Sequence, residues 1–268
     1  MALLAVPGPF DFALSTERFR AFGVDRANLW HEGGLHRVVD GREVRIEAAP
    51  GGVDVEPLDA STEPLVRKLL GLEFELARFA EWAAADETLA SVVVRLAGFR
   101  PPLTPDPFEM LVGAVTAQQV SLFSALAIRN RLIERFGDRV GEAWAFPTRE
   151  RLAAAREDEL VALGFSGRKA AYVVGLARSE LDLEGLAAFP DDEVRARLVA
   201  LRGLGEWTAE WFLARHLGRP HAWPWGDLAL RKAVVDLYGG LDVREARERF
   251  HPFENLSAHY LLLARRIP

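Results

Sequence analysis

The hydrophobic period of this chain changes near Leu72, and that change limits the fold more than any other feature. Before it, apolar and polar residues alternate in short runs at 35–39, 42–47 and 53–57, with Asp40-Gly41 and Gly51-Gly52 as hairpin turns. Residues 10–22 read as a strand running into an amphipathic helix capped by Ser15. After Leu72 the strand signal nearly vanishes. Segments 74–85, 108–136, 149–163, 168–178, 191–201, 208–216, 227–237, 244–250 and 257–266 carry apolar residues at helical spacing, separated by Gly, Pro or Asp. The Pro-rich stretch 99–107 is the plainest linker. The pattern predicts an α+β chain, mainly α, with a small antiparallel sheet at its N-terminus.

At 268 residues and 50% apolar content the chain can bury a sizeable core, which excludes disordered and low-complexity classes. With no cysteine, disulfides, thiolate zinc sites, iron–sulfur clusters and a cysteine nucleophile are excluded. Apolar runs such as 91–97 are broken by Arg or Glu well short of the roughly 20 residues of a membrane span, and no basic leader is evident, so a soluble, intracellular protein is expected. The net charge of −6 argues by itself against a nucleic-acid partner. Its distribution is uneven: Lys+Arg against Asp+Glu is 11 to 16 over residues 1–100, 12 to 15 over 101–200, and 10 to 8 over 201–268. Only the last third is net basic. Lysine occurs only at Lys68, Lys169 and Lys232, which restricts any amine chemistry.

The most informative stretch is 191–217, a helix, a turn with Gly203 and Gly205 two apart, then a second helix beginning near Thr208. Glycines there let a partner approach the backbone closely, and N–H groups at the start of the second helix form an anion nest. Taken alone, such a turn is more often a glycine-broken helical hairpin with no ligand. Asp227 lies 22 positions beyond Gly205, after a loop rich in Pro, Gly and Trp and ahead of an amphipathic helix. On local grounds it is an acidic N-cap, and beside several aromatics it is also a candidate acid, base or cation stabiliser.

The Leu-Arg-Gly203-Leu-Gly205-Glu-Trp-Thr208-Ala run, the Gly/Pro loop and Asp227 together resemble the helix–hairpin–helix DNA glycosylase superfamily. Phe10-Asp-Phe12, the stretch 106–121 containing Gln118-Gln119, and 163–172 containing Ser166, Arg168 and Lys169 resemble its bacterial DNA-3-methyladenine glycosylase II branch. The resemblance implies an N-terminal antiparallel α/β domain (1–72), a helical segment (73–103) packing with the C-terminal subdomain, a central helical subdomain (104–221) holding the hairpin, and a C-terminal helical subdomain (222–268). The two helical subdomains meet at a cleft for the base. Implied contacts to the DNA backbone come from N–H groups of Gly203, Gly205 and Thr208 and from Gln118, Gln119, Ser166, Arg168 and Lys169, with a sodium or potassium ion on the carbonyls of Val199, Leu201 and Gly203. Gln119 stands at the position of the wedge that fills the hole left by a flipped base. A pocket for a cationic alkylated base wants electron-rich faces, and the resemblance assigns these to Trp207 and Trp211, with Trp223, Phe10 and Phe12 as further walls. Asp227 is then the catalytic residue.

The implied activity is monofunctional: release of alkylated bases from double-stranded DNA by a monomer, without cofactor or strand cleavage, in the bacterial cytoplasm at the nucleoid. The hairpin position that carries a Schiff-base lysine in bifunctional relatives is Trp207 here. Two departures stand out. The C-terminal run 250–255 reads Phe-His-Pro-Phe-Glu-Asn where the family often has Trp-x-Pro-Trp-Arg-Ser, and Leu262 falls where a relative has a pocket tryptophan. His31, His36, His216, His221, His251 and His259 show no paired metal-ligand spacing and are expected at the surface or in packing. Two other readings are a non-catalytic DNA-binding module that uses the hairpin alone and a helical scaffold without a nucleic-acid role.

Overall fold

The computed structural model describes residues 2–267. Five strands, β1 (Ala2–Ala5), β2 (Leu29–His31), β3 (Gly34–Val39), β4 (Arg42–Ala49) and β5 (Gly52–Glu56), form one antiparallel sheet in the order β1-β5-β4-β3-β2. The alternation read from the sequence sets its faces: Leu35 pairs with Ile46, Arg37 with Val44 and Ile46 with Val55, so these side chains share one face. The helix Thr62–Leu69 covers it with Val66 and Leu69. Asp40 and Gly41 both take positive φ in the β3–β4 turn, as expected of a two-residue hairpin. In the next turn only Gly51 does so, because Gly52 already pairs with Ala49 in the ladder.

Two expectations for the N-terminal region fail. The strand near the start is Ala2–Ala5, and Phe12–Ser15 is a single helical turn capped by Asp11, whose carboxylate accepts the Leu14 N–H. Ser15 is buried, and its hydroxyl accepts the Arg100 N–H. The 108–136 segment is two helices, Pro107–Ala117 and Leu122–Phe136, capped by Asp106 and Ser121.

Two helical cores follow. One is built on residues between Phe108 and Ala222 and contains the hairpin helices Asp191–Val199 and Glu206–Arg215. The other joins helices Leu76–Ala83 and Glu87–Arg95 to Leu228–Leu237 and Glu254–Arg266, around Phe79, Trp223 and Phe250. Leu262 packs against both cores.

A buried ion cluster ties the sheet to the first helical core. Arg37 of β3 gives Nη2 to Glu109 Oε2 at 2.5 Å, and Arg129 gives Nη2 to Glu109 Oε1 at 2.5 Å and Nη1 to Asp25. Glu109 and Arg37 are 3% and 6% exposed. Burial pushes the Asp25 and Glu109 carboxyls up, but the arginines more than offset it and hold both below the usual carboxylate range. Their stabilisation is therefore present at neutral pH and is lost as pH falls below about 4, through the folded-state values. Glu109→Ala leaves the buried Arg37 guanidinium without a carboxylate and Arg129 with Asp25 alone. It is expected to lower the unfolding free energy by about 3–5 kcal/mol, read from urea midpoints; a loss under about 0.5 kcal/mol, the size of an ordinary surface change, would contradict the role given to the cluster.

Candidate active site

A cleft of about 1320 Å³ lies between the two helical cores and is walled as well by residues of the N-terminal region, among them Arg18, Phe19 and Leu69. Asp227 stands on its wall at the N-terminus of helix Leu228–Leu237. Oδ1 accepts the N–H groups of Ala229 and Leu230 at 2.8 and 3.0 Å, and Oδ2 accepts the indole N–H groups of Trp207 and Trp211 at 3.3 and 3.1 Å. The carboxylate thus caps its own helix and is also aimed at the hairpin. Pro224-Trp225-Gly226 forces this geometry, with Asp227 N–H donating to Pro224 O at 2.8 Å.

Trp207 is half-buried and lines the cleft. Trp211 also lines it but is 2% exposed, because the Arg215 guanidinium lies 3.7 Å from its ring centroid and His259 abuts it edge-on. One face of Trp211 is therefore already occupied. Arg215 has an unpartnered buried Nε and no ion pair among the described residues. Burial, with Arg18 and Arg266 nearby, disfavours its charge, and Asp227 favours it. Burial also draws the Arg18 guanidinium down to about 10, with Arg266 adding to the effect.

Three expected pocket residues lie elsewhere. Trp223 is 1% exposed and donates its indole N–H to Val243 O at 2.7 Å, inside the second core against Phe250. Phe12 is buried under the sheet beside Trp30, and Phe10 packs against the same core. None of the three lines the cleft. Leu14, Phe19, Phe22 and Phe99 line it instead, together with Leu262. Sequence gave no sign of this, since Phe10, Phe12, Phe19 and Phe22 all sit in one apolar-rich run.

The hairpin differs in detail from the expectation. Gly203 has φ +92°, and a Cβ on it would lie 2.2 Å from the Tyr172 ring, so this glycine is required from within. Gly205 has an extended φ of −108° and open space where a Cβ would be. No side chain caps the helix it begins. Thr208 is 1% exposed and its N–H already donates to Gly205 O at 2.9 Å, which removes it from the outward-facing donors. Gln118 donates Nε2 to Gly203 O at 2.9 Å, occupying one of the carbonyls expected to face a cation, and Leu201 O accepts from Leu204 N–H. Val199 is exposed at the end of the first hairpin helix.

Gln119 is exposed with φ +54°, next to the exposed apolar side chains of Val120, Leu122 and Phe123. Leu122 and Phe123 were missed in the sequence because they fit the helical period of 108–136. Ser166 caps the helix Gly167–Arg178 and Arg168 is exposed there. Lys169 donates Nζ to Thr116 O at 2.9 Å, which ties two helices together and leaves it less free for phosphate. Lys232 is exposed on the cleft rim, and Lys68 is turned away to Pro105 O.

Residues 112–255 match the family described as HhH-GPD superfamily base excision DNA repair protein. The chain belongs to this family. It is 32% identical over 177 residues to a DNA-3-methyladenine glycosylase of Bacillus subtilis (strain 168), a match covering 63% of this chain and 58% of that protein, so it spans little more than half of that relative. Among solved structures, the 3-methyladenine DNA-glycosylase from Archaeoglobus fulgidus superposes with a TM-score of 0.91 at 28% identity, covering 100% of this chain and 99% of the other. An 8-oxoguanine glycosylase/lyase from Clostridium acetobutylicum shares the fold at TM-score 0.81 and 18% identity, covering 99% of each chain.

His259 on the cleft wall and His216, which bonds Thr104 O outside it, supply a pH test of the packing of this region. Burial, with Lys68 nearby, draws His216 down to about 4, and burial with Arg215 draws His259 well below its usual value. In the unfolded chain both take a proton near pH 6.5. Between that pH and the folded values the unfolded state holds more protons, so stability falls as pH falls. For His216 alone the loss on going from pH 7.5 to 4 is on the order of 3 kcal/mol; urea midpoints that stay level across this window would contradict the assignment.

Proposed function

We propose that the protein is a monofunctional DNA glycosylase that flips alkylated bases out of duplex DNA and hydrolyses the N-glycosidic bond, acting as a monomer without a cofactor. The observation that carries this reading is the position of Asp227, a carboxylate gripped by four N–H donors on the wall of a cleft with room for a flipped nucleotide, beside a hairpin helix whose N-terminus is uncapped. Gly205 supports the DNA contact. A Cβ on it would meet only open space, which leaves room for a phosphate seated against the N–H groups there.

In the reaction the damaged nucleotide leaves the stack, and Gln119 with its exposed neighbours Val120 and Leu122 occupies the vacated space. As the glycosidic bond lengthens, positive charge grows on the sugar, and the Asp227 carboxylate stabilises it. Its four donors hold it still, so little reorganisation is needed at that moment. The same carboxylate is placed to orient or deprotonate the attacking water. Trp207 provides the open stacking face, and Leu262 lines the same cleft. With one face of Trp211 taken by Arg215, selection rests on ease of flipping more than on the lesion's charge.

The absence of a lysine at the Trp207 position supports hydrolysis without strand cleavage. Asp227→Asn preserves the shape and the cap while removing charge. It is expected to keep DNA binding and to lose base release from alkylated duplex DNA by at least about 100-fold, and release at the wild-type rate would remove Asp227 from the chemistry. Abasic product should stay intact until treated with alkali, and borohydride should trap no adduct; a trapped adduct would assign lyase chemistry, with Lys232 as the first residue to replace. Leu262→Trp is expected to shift relative release across a panel of charged and neutral lesions toward cationic purines. An unchanged panel would take residue 262 out of base recognition.

A further inference from the structure

Outside the cleft, the fold brings together three residues that are far apart or unremarkable in sequence. His221 lies in the loop after the hairpin, His251 in the turn before the last helix, and Glu254 opens that helix. We propose that His221, His251 and Glu254 form a binding site for a divalent transition-metal ion of the zinc class, which fastens the loop carrying Asp227 to the C-terminal helix.

The geometry of the donors carries the inference. Glu254 presents one carboxylate oxygen to each imidazole: Oε2 is 3.1 Å from His221 Nδ1 and Oε1 is 3.3 Å from His251 Nδ1. Ligand atoms about 2.0–2.1 Å from a tetrahedral zinc are separated by about 3.3 Å, so each imidazole stands at that spacing from one carboxylate oxygen, and an ion would take one of the two oxygens together with both nitrogens. The two rings are stacked, 17° from parallel with centroids 5.1 Å apart, so they face the carboxylate side by side. One donor atom from each residue lies within 4.8 Å of the other two. Closing that span requires a small turn of His251, whose side chain is 65% exposed and free to make it. Among the described residues this is the one group of three such side chains that meets these distances.

Charge supports the same conclusion. The Glu254 side chain is 4% exposed, yet its ion-pair partners among the described residues are these two imidazoles and no Arg or Lys. A buried carboxylate without a permanent cation calls for compensation, which the helix N-terminus supplies only in part. Two imidazole nitrogens and one carboxylate select a borderline ion over magnesium or calcium, which prefer oxygen. Three protein ligands leave a fourth position for water on the exposed His251 side.

The consequence is mechanical. Asn255 N–H already donates to Pro220 O at 2.9 Å, so the loop and the helix start touch. A metal at His221 would pin this contact two residues before the buried Trp223 and six before Asp227. The inference does not depend on the proposed glycosylase activity, and its test does not measure it.

Untagged protein is stripped with EDTA, dialysed, and titrated with ZnCl2 against a chromophoric chelator, with MgCl2 and CaCl2 as controls. We expect one equivalent of zinc, no comparable response to the controls, and a rise in melting temperature with zinc. His251→Ala changes an exposed side chain, so it should fold normally, bind zinc at least tenfold more weakly, and lose the thermal response. Because the chain has no cysteine, no thiolate site competes. Absence of stoichiometric zinc binding, or binding equally strong in both His251→Ala and His221→Ala, would overturn the proposal and leave the three residues as a hydrogen-bonded cluster alone.

Discussion

The Glu109 carboxylate holds two parts of the molecule in one arrangement. It receives a guanidinium from β3 on one side and another from the helix Leu122–Phe136 on the other. Low exposure makes each of these charges expensive alone, so the pieces that bear them gain by staying together. That link sets where the sheet sits against the first helical core. Glu109, Asp25 and Arg129 also line the cleft, so the cluster forms part of its back wall.

Asp227 dissolves an apparent choice. A residue at a helix start can be a cap or a reactive group, and in the sequence these readings compete. In the structure one oxygen caps the helix and the other receives two indole N–H groups across the cleft. Capping is what holds the carboxylate rigid, and rigidity is what the electrostatic role proposed for it requires.

Much of the architecture was legible in hydrophobic period. The β3, β4 and β5 strands, most helices and the hairpin follow from spacing, because one-sided burial imposes a period on the sequence. The short strands β1 and β2 were not legible, since four or three residues carry too little alternation to stand out. Asp227, Trp207 and Trp211 converge in space as their positions suggested. Trp223 does not, because its ring is taken into the second core, against which Trp225 packs as well, and only tertiary packing decides this. The His221–His251–Glu254 group was equally hidden. Its members come from segments 30 residues apart, joined only after the second core forms.

The cleft runs along a seam between two cores, and Leu262 touches both. A pocket hollowed out of a single core can change shape only at the expense of that core's packing. A pocket at a seam has walls whose backs are packed independently, so a side chain facing it can be exchanged while each core keeps its interior contacts. Exchange of a facing side chain such as Leu262 is thereby separated from the packing of either interior, the Glu109 cluster apart.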